Sequence, residues 1–128
     1  MNDLSVDEVA LIHARLIERI TGDPGLLDLR RLESAVARPQ ATFAGDDLYP
    51  SVWDKAAALM LSLVRNHPFI DKGERTALVA TGLFLERNGY TLTATNDEAY
   101  ALMVEVALGR RDRDTVAAWL REHMRPTS

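Results

Sequence analysis

The sequence predicts an all-α protein, a single compact bundle of about six helices over residues 1–128. Three observations support this class. Apolar residues recur at helical spacing along several segments, capping residues or Pro and Gly mark the ends of those segments, and only one short stretch is rich in β-forming residues. A chain of 128 residues that is 47% hydrophobic is long enough for one domain with its own core.

Two helices are predicted in the first forty residues. Ser5 and Glu8 form a capping box ahead of apolar residues at helical spacing, and the turn at residues 22–25 ends that helix. Asp28 is expected to cap a short second helix, which Pro39 closes. Residues 40–50 are expected to form a polar loop.

The middle of the chain predicts two further helices. Ser51 caps an alanine- and leucine-rich segment, which must end before Pro68 because a residue preceding proline disfavours helical angles. The next helix is predicted from about Glu74 to Arg87, because the Asn-Gly pair that follows favours a left-handed cap.

The last forty residues predict one short extended segment and two helices. Residues 90–94 are β-prone and predict at most one edge strand. Asn96, with Glu98 behind it, is expected to start the fifth helix, and Asp112 or Asp114 the sixth.

Composition and charge narrow the function classes. The absence of cysteine excludes disulfides, thiolate catalysis and cysteine-ligated metals. A net charge of −4 disfavours nucleic acid as a partner, and Arg110, Arg111 and Arg113 alternate with acidic residues in what we interpret as a solvated loop. The first residues lack the basic and apolar regions of a signal peptide, and no apolar stretch is long enough to span a bilayer. We therefore expect a cytoplasmic protein without membrane contact.

The segment that carries chemistry lies between the third and fourth predicted helices. It places His67, Asp71 and Arg75 in a short loop that opens on a helix N-terminus. Such a terminus presents free N–H groups and attracts anions. An imidazole can take a proton from a hydroxyl, a carboxylate can hold Mg²⁺, and a guanidinium matches a phosphate. The pattern indicates an anion site with a base beside it.

Residues 67–75 resemble the Fic/Doc signature, His-x-Phe-x-(Asp/Glu)-(Gly/Ala)-Asn-(Gly/Lys)-Arg, in the same register. Other segments are similar to the small Doc (death-on-curing) toxin branch. They are residues 32–40, 46–50, 55–58 and 75–89. The resemblance covers essentially the whole chain and implies a fold of the Fic/Doc type.

The resemblance implies roles for individual positions. His67 is the base that deprotonates the acceptor hydroxyl, and Phe69 is the apolar anchor of the loop. Asp71 is the Mg²⁺ ligand, and Arg75 contacts phosphate. The other positions that hold the nucleotide in the family are occupied here by Lys72, Gly73 and Glu74.

For the whole protein, the resemblance implies the toxin of a toxin–antitoxin pair. In the Doc branch, ATP supplies a phosphate that is transferred to elongation factor Tu, which inhibits translation, and a Phd-like antitoxin silences the toxin. ATP and Mg²⁺ are the cofactors it implies, and larger Fic relatives transfer AMP instead. No glutamate here follows Ser or Thr at the spacing of the family's self-inhibitory helix, as expected if a separate antitoxin acts.

Three consecutive positions depart from the signature. Lys72 replaces Gly or Ala, Gly73 replaces Asn, and Glu74 replaces Gly or Lys. A carboxylate about 4 Å from a phosphate charge repels it by roughly 1 kcal/mol in water and by about 4 kcal/mol at a surface-like dielectric. Three interpretations follow: an inactive site, a nucleotide bound in a changed orientation, or a Fic scaffold that binds a different ligand or partner.

Several of these residues also have a possible structural role, which the sequence does not distinguish from the functional one. His67 can cap the end of the helix before it, and Asp71 the start of the helix after it. His13 and His123 show no metal-ligand spacing, so we interpret them as structural. Residues 46–49, including Tyr49, lie where the family positions its protein substrate, and a solvated loop is the equal alternative.

Overall fold

The computed structural model describes residues 1–127, and six α-helices account for most of them. They are α1 (Val6–Ile20), α2 (Leu29–Ala37), α3 (Val52–Asn66), α4 (Gly73–Arg87), α5 (Asn96–Ala107) and α6 (Arg113–Glu122). A single 3₁₀ turn, Arg38–Gln40, continues α2. The predicted all-helical class and the number of helices are confirmed. None of the helices in this part of the chain is both long and apolar enough to cross a bilayer.

Within residues 1–127, four short strands form two antiparallel ribbons. β1 (Thr42–Phe43) pairs with β2 (Asp46–Asp47) in a hairpin, so the expectation of a plain polar loop before Pro50 was wrong. β3 (Tyr90–Leu92) lies in the predicted β-prone segment and pairs with β4 (Met124–Pro126). Strands of two or three residues are too short for alternation of polar and apolar residues to reveal them.

Helix caps follow the local chemistry of the chain. Ser5, Asp28 and Ser51 accept hydrogen bonds from the first turns of α1, α2 and α3, as predicted. The predicted start of α5 at Asn96 is confirmed, and Thr95 is the N-cap that precedes it. Thr95 and Glu98, three positions apart, form a capping box in which the side chain of each accepts a hydrogen bond from the backbone N–H of the other.

The core is arranged around α3, which packs against α2, α4 and α6. Alanines 56 and 57 are fully buried and allow close approach of the neighbouring helices. Every helix contributes to the same hydrophobic cluster. Representative members, in chain order, are Val9, Leu32, Met60, Phe84, Leu102 and Leu120. Because α3 is fixed on several sides, the position of the loop that follows it is fixed as well.

Lys55 is a buried cation in the first half of α3. Its ammonium donates to the carbonyl of Pro39 at 3.1 Å and to Oδ2 of Asp47 at 3.3 Å. A buried charge is tolerated when it is paired and hydrogen-bonded. These two bonds join α3 to the 3₁₀ turn and to the β1–β2 hairpin. Asp47 therefore has a structural partner, which its place in a polar loop did not predict.

Candidate active site

The motif loop, residues 67–72, connects α3 to α4. It begins at His67, which ends α3 in the left-handed conformation (φ 47°, ψ 59°), and finishes at Lys72, which precedes α4 in the same conformation (φ 61°, ψ 25°). A left-handed residue other than glycine costs roughly 1–2 kcal/mol. Such conformations persist when the surrounding structure holds them. The contacts of the loop supply that support.

The central contact of the motif loop is made with His13 on α1. The imidazole stacks on the ring of Phe69, with 3.9 Å between centroids and 8° between planes, and both side chains are 3% exposed. His13 Nε2 also lies 2.8 Å from the carbonyl oxygen of Asp71. A carbonyl only accepts, so Nε2 carries the proton in this bond. His13 is thus structural, as interpreted, but it positions the very loop that carries the signature.

The loop between α1 and α2, residues 21–28, pairs with the motif loop through its backbone. The N–H of Leu27 donates to the carbonyl of Pro68 at 2.7 Å, and the N–H of Ile70 donates to the carbonyl of Gly25 at 3.1 Å. A Cβ on Gly25 would lie 2.4 Å from Cδ1 of Ile70, so a larger residue there would displace the exposed end of that side chain. The glycine-containing turn predicted at residues 22–25 thus lies where the two loops pair.

Asp71 is held as a carboxylate by donors on both sides. Oδ2 accepts from the backbone N–H of Asp23 at 3.3 Å, and Oδ1 accepts from the N–H of Lys72 at 2.9 Å. The Asp23 amide is the largest influence that lowers the pKa of Asp71, the amide and ammonium of Lys72 lower it further, and burial opposes them. A Cβ on Gly22 would lie 2.4 Å from Oδ2. Asp71 does not cap α4, because Lys72 is the N-cap residue.

The N-terminus of α4 has no side-chain cap within residues 1–127. The first backbone bond of the helix runs from the N–H of Thr76 to the carbonyl of Lys72, at 3.0 Å. The amides of Gly73, Glu74 and Arg75 precede that bond and have no intrahelical acceptor. A Cβ on Gly73 would meet nothing within 4 Å, so the space that a larger side chain needs is open. The terminus can receive an anion.

Two different clefts divide the predicted site residues. A groove of about 800 Å³ between α4 and α5, the α4–α5 groove, is lined by Asp71, Lys72, Glu74 and Arg75 together with residues of α5. His67 is exposed and lines a second cleft of about 490 Å³ with residues of α2 and the end of α3. Within the described chain, no hydrogen bond or salt bridge joins His67 to Asp71 or Arg75. The motif loop separates the two clefts.

The chain is similar to known proteins over most of its length. The model of the Fic/DOC family matches residues 3–85, which include α1 to α3, the motif loop and most of α4. Toxin Doc of Mycolicibacterium smegmatis is 50% identical over 101 residues, covering 77% of this chain and 78% of that protein. Protein kinase doc of Escherichia phage P1 is 33% identical over 121 residues, 94% of each chain. The chain therefore belongs to the Fic/DOC family, in its Doc branch.

The stacked histidine generates a first prediction. We expect His13→Ala to lower the free energy of unfolding by about 2–4 kcal/mol, because it removes a buried ring and a partly buried hydrogen bond. Hydrogen exchange at the amides of Leu27 and Ile70 should also speed up. His123→Ala is the matched control, because His123 stacks on Trp119 at 4.0 Å and bonds to its carbonyl away from the motif loop. Equal exchange rates at both amides in the two variants would contradict the positioning role.

A second prediction concerns pH. The pKa of Asp71 in the folded protein lies below its ordinary value. The ionised Asp71 carboxylate therefore stabilises the fold at pH values above the ordinary pKa, and this stabilisation is lost as the pH falls through the folded-state pKa. Gly22→Ala should push Oδ2 off the Asp23 amide and return the pKa of Asp71 towards its ordinary value, as followed by NMR titration of the carboxyl carbon. Gly82→Ala is the control, because a Cβ there meets nothing within 4 Å. An unchanged Asp71 titration in Gly22→Ala would refute this account.

Proposed function

We propose that this protein is the toxin of a toxin–antitoxin pair that transfers phosphate from ATP to a hydroxyl of a translation protein of the elongation factor Tu type, in the cytoplasm. One observation carries the proposal: His67, Asp71 and Arg75 keep the family register around an uncapped helix N-terminus. The names of two relatives, a toxin and a protein kinase, support the same assignment.

The donor phosphates bind at the start of α4 in this proposal. The free amides of residues 73–75 and the positive end of the helix dipole attract them, and the Arg75 guanidinium adds two parallel donors. Lys72 and Glu74 line the same groove and nearly cancel in charge. Glu74 therefore weakens nucleotide binding without removing the groups that make it.

Mg²⁺ fits the residues that are present. Oδ1 of Asp71 accepts from both the amide and the ammonium of Lys72, whereas Oδ2 accepts only from the Asp23 amide and keeps a lone pair free. Mg²⁺ needs only one or two carboxylates when phosphates and waters complete its shell. No cluster of three His, Asp or Glu side chains occurs within residues 1–127, which suits a metal that arrives with the nucleotide. When bound, Mg²⁺ neutralises charge on the transferred phosphoryl group.

His67 acts on the acceptor. The imidazole takes the proton of the acceptor hydroxyl while the hydroxyl oxygen attacks the γ-phosphorus of ATP. The new O–P bond forms as the bond from phosphorus to the β,γ-bridging oxygen breaks, and ADP leaves. General-base catalysis of this kind contributes about 10²- to 10⁴-fold in rate. His67 is exposed, so a protein hydroxyl can reach it.

A Phd-like antitoxin is the proposed partner, and the α4–α5 groove suits it. Beside the charged residues, this groove exposes Val79, Tyr100 and Val104. Exposed apolar side chains grouped along a groove mark an interaction surface, and an amphipathic helix is one segment that fits such a groove. An antitoxin bound there would also cover the start of α4.

A second candidate is a catalytically silent or repurposed Fic-fold binding protein, and a transferase of AMP is a third. Glu74 in the α4–α5 groove favours the silent form, because its charge opposes phosphate. In that case the apolar part of the groove carries the function, and nucleotide plays no part.

A third prediction separates these candidates. Purified protein incubated with γ-labelled ATP and elongation factor Tu should label the factor, and His67→Ala should reduce the rate by about 10²- to 10⁴-fold because the base is lost. His123→Ala should retain the rate, since His123 lies at the end of α6, outside the α4–α5 groove and the His67 cleft. Label from α-labelled ATP instead would identify AMP transfer. Labelling no greater than with His67→Ala would favour the silent form.

A further inference from the structure

One face of the molecule concentrates positive charge, although the chain as a whole has a net charge of −4. The His67 cleft of about 490 Å³ and a neighbouring cleft of about 290 Å³ share the lining residues Ser34, Arg65 and Asn66. The two clefts therefore adjoin, and we treat them together as one surface. Its cationic residues are Arg30, Arg31, Arg38, Arg65 and Arg113, and we name it the arginine groove. Among the described residues, no aspartate or glutamate lines it.

The charge of this groove is only partly compensated. Arg31 lies 4.0 Å from a carboxylate oxygen of Asp28, and Arg113 lies 3.0 Å from one of Asp114, and both pairs are largely solvent-exposed. The other three arginines, at positions 30, 38 and 65, form no salt bridge within residues 1–127. Exposed ion pairs contribute little and exchange readily for a better partner. The groove therefore has guanidinium groups available for an incoming anion.

The arginines are mounted on fixed elements. Arg65 precedes His67 by two residues on the last turn of the central helix α3. At the far end, the guanidiniums of Arg38 and Arg113 lie 5.4 and 5.5 Å from the centroid of the Tyr49 ring, which is 8% exposed. Contacts of this kind hold guanidinium groups in place. Tyr49 thus organises the basic end of the groove, whereas the sequence assigned it only to a substrate or solvated loop.

We propose that the arginine groove binds an acidic segment of the acceptor protein, next to the hydroxyl that His67 deprotonates. This inference rests on the proposed function and names the class of substrate. Guanidinium groups pair with carboxylates through two parallel hydrogen bonds, and a field of one sign steers an acidic partner to the site. His67 lines one of the two clefts, so an extended chain bound to the arginines can present a hydroxyl to it.

Two other anions fit the groove less well. The donor phosphates have their own site at the start of α4, and none of the residues 71–75 lines the arginine groove. RNA binding commonly uses exposed aromatic rings for base stacking. The aromatic ring in this groove is nearly buried and already contacts two guanidiniums. An acidic peptide needs only the guanidiniums themselves.

The test uses a fluorescent twelve-residue peptide that contains one threonine flanked by glutamates, and its glutamine counterpart, both followed by fluorescence anisotropy without ATP. The glutamate peptide should bind, with affinity that falls as salt rises, and the glutamine peptide should not. Arg30→Gln with Arg31→Gln should weaken binding by about tenfold, because two charge-assisted contacts are lost. The matched control, Arg15→Gln with Arg19→Gln, makes the same charge change on exposed positions of α1 and should change affinity less than about twofold.

Several outcomes would overturn the proposal. Equal weakening in both double variants would show a general effect of net charge. Tighter binding of a twelve-nucleotide RNA than of the glutamate peptide would assign the groove to nucleic acid. Loss of ATP binding in the Arg30/Arg31 variant would show that the arginine groove binds the phosphate donor, ATP, instead of the acceptor. Thermal unfolding shows whether each variant is folded, and Arg38→Gln provides a second change in the groove. Because peptide binding is measured without ATP, its result does not depend on whether the protein transfers phosphate, and the two proposals can fail separately.

Discussion

The stack of His13 on Phe69 is the interaction on which the candidate site depends. It joins α1 to the loop between α3 and α4, and the bond from His13 Nε2 to the Asp71 carbonyl fixes the next turn of that loop. The loop contains left-handed residues at both ends, and this conformation is costly without support. With Phe69 buried and the backbone of residues 21–28 paired to it, the loop places His67 on one side and Asp71 on the other.

The motif loop also divides two electrostatic environments. On one side, the α4–α5 groove mixes Asp71, Lys72, Glu74 and Arg75 around the free amides of α4. On the other side, the arginine groove carries positive charge alone among the described residues. A transferase must hold a donor and an acceptor at once and in line. In the proposed function, the α4–α5 groove holds the donor and the arginine groove holds the acceptor, on the two sides of the motif loop.

Local rules predicted most of the fold. Capping boxes and proline or glycine punctuation located all six helices. The missed strands were β1 and β2, a hairpin whose strands have only two residues each, and β4, whose partner β3 is distant in the chain. The register of the signature predicted the candidate site residues, but not what holds them. Asp23 and His13 lie 48 and 58 residues from Asp71 in the chain, and no local pattern reports such contacts. One signal was available: His13 follows the buried Val9 by four residues and so lies on the apolar face of α1.

We propose that the motif loop, held by His13 and residues 21–28, still binds nucleotide phosphate and that Glu74 weakens this binding. Calorimetric titration of ATP with Mg²⁺ into the native chain and into Glu74→Gln tests it most directly, with Glu86→Gln, an exposed glutamate further along α4, as the control. We expect the native chain to bind ATP with Mg²⁺. Glu74→Gln should bind ATP about fivefold tighter or more, because a repulsion of roughly 1 kcal/mol is removed. Glu86→Gln should bind ATP as tightly as the native chain. Absence of ATP binding in the native chain and in Glu74→Gln alike would contradict this proposal.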